Sequence, residues 1–379
     1  MTDVSVRTPV GWVRTEQAPV LAAPSTLVGP IAWVRTNLLG SIPSTVLTLV
    51  CAWLLFLLIP PMWKFLVTSA TYTGAERTAC LPNPGMCYPY LADNFQFFMY
   101  GFYPVVERWR PNLALILGMV GVVGALWPDF RYRGQFALYF LLVFPIIAFV
   151  LLYGGALGLA RVPTDQWGGV IVTLVVAVTG IVFSLPLGIA LALGRRSKLP
   201  VVKFFSITFI EFWRGVPLVT VLFMASVMLP LFVPQAYSPD KLLRALVAVA
   251  LFASAYMAEV VRGGLQAIPK GQTEGAQALG MPYWQTTAFI ILPQALKLVI
   301  PGIVNTFIGL FKDTSLVFIV GLVDFLKAVD MSLVNPVWAT PWTRYSGYFF
   351  ASLFYFLCCW GMSLYSRNME ERLATGHKR

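Results

Sequence analysis

Charged and polar side chains are scarce in this sequence, so those set inside apolar runs are the first candidates for chemistry. Lys312, Asp313, Thr314 and Ser315 are consecutive, Asn305 lies two turns before them, and Tyr256 and Glu259 sit in a separate apolar run. Such groups could hold a polar ligand, which needs partners that bare apolar walls do not supply. The same residues equally fit a Lys/Asp pair that satisfies itself and caps a broken helix. Two further segments, Glu211 to Gly215 and Glu259 to Gly264, each place a Glu and an Arg at i,i+3. That spacing puts Glu211 with Arg214, and Glu259 with Arg262, on one helix face as structural ion pairs, because an unpaired charge near lipid is costly.

Other chemistries are excluded. The single histidine is His377, so histidine catalysis, haem ligation and a histidine proton relay have no donor. There is no glycine-rich phosphate loop ending in Gly-Lys-Ser/Thr, so this chain does not hydrolyse ATP by itself. Nucleophile-elbow, dinucleotide and paired-cysteine metal patterns are missing as well, and no cofactor or metal is expected in the chain. Cys80 and Cys87 share a polar loop in which an oxidising compartment permits a disulfide. Cys51, Cys358 and Cys359 lie in apolar runs and read as small buried hydrophobes.

The elements that must position these residues are membrane spans. The chain has 379 residues, 58% of them hydrophobic and 11% charged, a composition of integral membrane proteins. At roughly 20 apolar residues per crossing, about eight segments qualify: 44–63, 112–127, 135–159, 170–193, 216–233, 242–261, 295–311 and 348–365. If the first span exits, Arg131/Arg133, Arg195/Arg196/Lys198/Lys203, Arg262/Lys270 and Arg367/Arg372/Lys378/Arg379 share one side, which the positive-inside rule makes cytoplasmic, with both termini. Arg108 and Arg110, before the second span, oppose that rule. The net charge of +11 then reads as membrane orientation and affinity for anionic headgroups, with no nucleic-acid partner. The expected layout is a flexible cytoplasmic tail (1–40) without a secretory leader and an N-terminal membrane part (41–161) with an outer loop (64–111). A functional core (162–366) and a second tail (367–379) follow.

Between the sixth and seventh spans the apolar pattern breaks over 262–294, placed on the cytoplasmic side. Gln272 to Leu279 is rich in helix formers, with Glu274 in the opening turn where a carboxylate favours the helix dipole. Gly280 suits the C′ position that ends a helix with positive φ, and Pro282 suits the first turn of a second one. Met281, Trp284, Ala288 and Ile291 follow at spacings of three and four as an apolar stripe. The segment reads as two short helices at an angle, presenting an apolar face either to a partner or to lipid headgroups.

Here the residues resemble a family. Glu274, Gly275, Ala276, Gly280, Ile290, Leu292 and Pro293 are similar to the cytoplasmic loop signature of binding-protein-dependent ABC transporter permeases, with Gly275 where an alanine is usual. "EFWRGVPL", the stretch from Ala258 to Gly280 and "LFKDTSLV" narrow the resemblance to the polar amino-acid uptake subfamily over about 169–365. The longer N-terminal part is similar to the long permease subunits of general L-amino-acid and glutamate/glutamine/aspartate importers.

The resemblance implies an all-α type I importer permease, its five-helix core preceded by three extra N-terminal helices, in a bacterial inner membrane. It implies a coupling loop in which Glu274, Gly275, Ala276, Leu279, Gly280, Met281 and Trp284 meet a separate ATPase homodimer that carries ATP and Mg. A second homologous permease and a periplasmic amino-acid-binding protein complete the machine it implies. The competing class is an ion-gradient-driven secondary amino-acid transporter, with broken helices at Pro145, Pro186 and Pro217. It leaves the 274–293 signature without a use, and no inverted repeat accompanies it.

Overall fold

The computed structural model describes residues 29–127, 129–234 and 237–374. Helices make up the fold except for one pair of two-residue strands, and the chain divides into two compact units between Thr68 and Ser69.

The first unit holds α1 (Pro30–Asn37) and α2 (Ile42–Trp63), the latter continuing into a π-helical turn, Lys64–Thr68. Ser41 caps α2 by accepting the Ser44 N–H, and Thr48 Oγ1 donates to Leu38 O at 2.8 Å, tying α2 to the end of α1. The expected flexible tail therefore gives way to helix from Pro30 on, while 1–28 lie outside the described residues. No residue of α2 is buried, so Cys51 is exposed rather than a core hydrophobe.

In the second unit the expected loop 64–111 is largely structured. It holds α3 (Arg77–Cys80) and α4 (Tyr88–Tyr100), joined by the Cys80–Cys87 disulfide with Cα atoms 5.8 Å apart. Then come α5 (Trp109–Leu126), and α6 (Arg133–Leu138) with α7 (Phe144–Tyr153), which a π-helical turn at 139–143 makes one continuous span. That span stops at Tyr153, short of the expected Leu159, because Gly154, Gly155 and Gly158 take positive φ.

Next are α8 (Val170–Arg195), α9 (Pro200–Gly215), and α10 (Leu218–Phe223) with α11 (Leu229–Phe232), linked by a π-helical turn at 224–228. The span expected at 216–233 is thus only the second limb of a pair bent by 103°. Pro217 holds Val216 extended at φ −108°, ψ 133°, which breaks the helix there.

The remaining helices are α12 (Lys241–Ala267), α13 (Lys270–Ala278), α14 (Tyr283–Gln285), α15 (Leu292–Leu298), α16 (Ile300–Asp313), α17 (Phe325–Ser332) and α18 (Pro341–Ala374). A 3₁₀ stretch over 314–320 extends α16 into one span, Ile300–Val320. α18 runs well past the span expected to end at Tyr365 and takes up most of the expected tail, while His377 lies outside the described residues. Among the described residues, seven helices are long and apolar enough to cross a membrane, and the bent pair makes up to eight.

The centre of the second unit is the packing of α8 along α12, with Val172, Val176, Leu222, Ala245, Val249 and Val317 in one buried cluster. In lipid, helices associate through close contact rather than escape from water, so small residues at the seam matter. A Cβ on Gly188 would stand 2.7 Å from Met257 Cγ, and one on Gly180 would stand 2.7 Å from Leu310 Cδ2. The loop after α12 lies at the end of the bundle where α8 finishes, called the loop end below; the opposite end is the far end.

At the far end, β1 (Gly168–Gly169) pairs in parallel with β2 (Val323–Asp324). α4 is fastened onto this end: Trp338 Nε1 donates to Asp93 Oδ2 at 2.7 Å, Tyr90 and Ser332 hydroxyls meet at 2.5 Å, and Cys87 N–H donates to Ser346 Oγ at 2.9 Å. Gly169, at φ +62°, lies where a Cβ would be 2.1 Å from Phe98 O. Arg108 and Arg110 each bond within the chain, although Arg110 Nε is enclosed without a partner. Arg110 pairs with Glu107 at 2.7 Å and donates to Ala160 O, while Arg108 donates to Tyr103 O and Gln96.

Candidate functional site

Three groups of residues carry the site, beginning at the loop end. α13 closes in a Schellman motif: Gly280 N–H donates to Gln277 O at 2.9 Å and Met281 N–H to Ala276 O at 3.1 Å, with Gly280 at φ +76°. The glycine is demanded by that backbone, since a Cβ there would meet no neighbour. Pro282 sits one residue earlier than expected, as the N-cap of α14 in extended backbone rather than in its first turn.

Of the loop residues named from sequence, Ala276 is 3% exposed and anchors the motif, while Met281 is half-buried. Leu279 at 82% and Trp284 at 71% project outward, and Glu274, Gly275 and Tyr283 are exposed beside them. The apolar stripe splits accordingly: Ile291 packs inward and Ala288 is exposed. Gln294 Nε2 bridges Gln272 Oε1 at 3.2 Å and Ile290 O at 2.9 Å, holding α13 against the start of α15. The result is a rigid elbow that offers large apolar side chains outward.

Behind the elbow lies the second group, an ion cluster. Glu259, 15% exposed on its side chain, receives Arg262 at 2.6 Å, Arg195 at 2.9 Å and Arg214 at 3.6 Å, and Arg195 also holds Glu211 at 2.9 Å. The Glu259–Arg262 pair lies on one helix as the spacing indicates. Glu211 and Arg214 instead turn to different helices, because α9 packs against both α8 and α12 and brings closer partners. Tyr256, a substrate-path candidate from sequence, carries the Arg214 guanidinium 5.8 Å from its ring centre. Tyr256 and Glu259 therefore belong to a clamp joining α8, α9 and α12 at the loop end.

The third group lies in the span Ile300–Val320. Lys312 to Ser315 sit where α16 tightens to 3₁₀, inside this span and not just beyond its end as the expected bounds 295–311 place them. Thr314 Oγ1 donates to Phe311 O at 2.7 Å and Ser315 Oγ to Lys312 O at 2.9 Å, so both hydroxyls serve the helix transition. Lys312 is exposed, Asp313 half-buried, and no ion pair joins them among the described residues. Asn305 is exposed two turns earlier. Cys358 and Cys359 are half-buried on α18, not enclosed.

Sequence reasoning passed over two residues. Asp324, fully buried in β2, caps α17 by accepting the Leu326 and Lys327 N–H groups and the Tyr355 hydroxyl. Burial pushes its carboxyl up to about 6, with those donors opposing the shift. Its signal was an Asp opening an amphipathic stretch, a cap pattern. Arg244, in the first turns of α12, has Nε and Nη1 enclosed without a partner; its signal was a lone guanidinium in "KLLRALVAVA". No group of three His, Cys, Asp or Glu able to hold a metal occurs among the described residues.

Residues 184–375 match the family described as binding-protein-dependent transport system inner membrane component. The chain is 51% identical over 346 residues to the inner membrane amino-acid ABC transporter permease protein YhdY of Escherichia coli K12, covering 91% of this chain and 94% of that one. It is 38% identical over 435 residues to the glutamate/glutamine/aspartate/asparagine transport system permease protein BztC of Rhodobacter capsulatus, covering 97% and 99%. A crystal structure of an amino acid ABC transporter with histidines is 28% identical over 54% of this chain and 92% of that chain, with a TM-score of 0.47.

Proposed function

The chain belongs to the family of binding-protein-dependent transport system inner membrane components, and from that premise we propose that it is the permease subunit of an ABC importer for L-amino acids. The observation that carries the reading is the capped elbow 270–285, with Leu279 and Trp284 offered outward at one end of a bundle of spans. A chain without a phosphate loop must receive its energy from elsewhere, and a rigid exposed elbow is the means of receiving it.

In this reading the loop end and both termini face the cytoplasm. A separate ATPase homodimer, holding ATP and Mg, seats the elbow against its surface. Closure of the ATPases moves the elbow as a rigid body. The Glu259 cluster transmits that movement, because it fastens α12, which leads into the elbow, to α8 and α9. A second, homologous permease completes the pathway, and a periplasmic binding protein delivers the amino acid at the far end. Lys312, Asp313 and Asn305 are polar groups for that pathway. The amino-acid cargo is supported by the two relatives matched over nearly their whole length.

Mass spectrometry of the tagged chain, purified in mild detergent from its native membrane, tests this reading. An ABC ATPase and a second permease are the expected companions. Recovery of the chain alone, with uptake driven by an ion gradient, would overturn it.

A further inference from the structure

The far half of the bundle contains cations that lack an ion-pair partner among the described residues. Lys241, Arg244 and Lys312 form no ion pair among the described residues, in contrast to the cluster at the loop end. Arg244 is the most constrained of them. Its Nε and Nη1 are enclosed and donate to nothing, although a guanidinium has five N–H donors and stays charged at any physiological pH.

The nearest acid in sequence is already committed. Asp240 accepts the Thr164 hydroxyl at 2.7 Å on one oxygen and the Leu242 N–H at 2.9 Å on the other. Lys241, beside it, points elsewhere, its Nζ lying 3.3 Å from where a Cβ on Gly321 would be.

The placement of Arg244 is also informative. Leu242, Leu243 and Leu246 line an apolar cavity of about 620 Å³ shared with α5, α7 and α8. At 3.6 residues per turn, Arg244 lies roughly 160–200° around α12 from Leu242 and Leu246, so it faces away from that apolar side. α12 also packs against the π-helical turn at 224–228, and this turn holds Ser226, a buried hydroxyl that likewise lacks a partner. π-helical turns inside α-helices recur at functional sites, and a hydroxyl can either donate to a carboxylate or accept from an ammonium.

A charged group with enclosed, unused donors inside a span is costly unless an anion completes it. We propose that Arg244 receives the α-carboxylate of the transported amino acid in the far half of the pathway, with Ser226 as an accessory polar contact. The planar fork of a guanidinium matches a carboxylate through two parallel hydrogen bonds, which suits a group common to every amino acid. This assignment rests on the importer reading above.

The test uses the complete transporter, with its partner permease, ATPase and binding protein, reconstituted in liposomes, and radiolabelled L-glutamate and L-glutamine as probes. R244M removes the charge while keeping an aliphatic side chain of similar length, and R244Q keeps hydrogen-bonding capacity. The expected result is uptake lowered about tenfold or more, with unaltered subunit composition and with ATP hydrolysis retained, so that more ATP is spent per molecule transported. S226A is expected to lower uptake about two- to fivefold.

Wild-type uptake by R244M overturns the assignment. So does loss of the partner permease from the variant complex, which would show that the guanidinium serves an intersubunit ion pair. Failure of both R244M and R244Q to assemble also counts against it, because the residue would then serve the fold. If the wild-type transporter carries neither probe nor any other L-amino acid, the importer reading itself fails, a separate outcome.

Discussion

The two ends of the α8–α12 seam treat charge in opposite ways. At the loop end Glu259 gathers Arg195, Arg214 and Arg262, and Arg195 holds Glu211 as well, so each charge has a counter-charge. At the far end Arg244 keeps two enclosed N–H groups without a partner, and Lys312 stands inside a span without an acid bonded to it among the described residues. A network completed within the chain fixes three helices together and has little left to offer a ligand. An incomplete one depends on something arriving. In the proposed reading, the difference separates a part that transmits force from a part that receives cargo.

Breaking the completed end should have the largest effect. E259A leaves Arg214 and Arg262 without their carboxylate, with Arg195 held by Glu211 alone, and is expected to cost about 3 kcal/mol, since removing one partner of a largely buried ion pair strands the others. Thermal unfolding of the purified complex should drop by several degrees; an unchanged midpoint would mean that the cluster is no clamp. Next in size is G280V, which forces a β-branched residue into φ +76° and distorts the elbow. Uptake should fall about tenfold with ATP hydrolysis and membrane insertion retained, because the loss concerns transmission alone. Normal uptake by G280V would remove the elbow from the force-transmitting part.

A smaller effect concerns Asp324. Its carboxyl sits at about 6 in the folded chain against an ordinary 3.8, so between these values the folded state binds more protons than the unfolded one. Stability contributed there is present at low pH and is lost as pH rises through that window. D324N should flatten this portion of the pH–stability curve measured by thermal unfolding; an identical slope in the variant would show that another group is responsible. The smallest effect is expected from G275A. A Cβ at Gly275 meets nothing within 4 Å, so uptake and stability should stay at wild-type values in side-by-side assays. A loss would mean that a partner packs against the bare glycine.

The same contrast marks what could be read from the sequence. The spans and the Gly280 cap were legible, because both depend on local periodicity and on one residue's backbone freedom. Glu259 with Arg262 was legible for the same reason. Glu211 with Arg195 was not, since that choice of partner depends on how α9 packs against two other helices. A break at Pro217 was legible from the proline, but not that it joins α9 to the next limb in a pair bent by 103°, because the second limb alone resembles a short span. Lys312 to Ser315 were found as residues but misplaced, since the 3₁₀ continuation to Val320 lengthens the span beyond them. Arg244 went unremarked because one arginine near a helix start looks like an interfacial anchor until its enclosure is seen.

The central claim is that the elbow is where an ATPase grips this chain. The most direct measurement replaces Trp284, 71% exposed, by aspartate and quantifies every subunit that co-purifies. The account predicts that W284D retains the second permease and loses the ATPase. A complex that keeps its full complement of ATPase, with uptake intact, would contradict it.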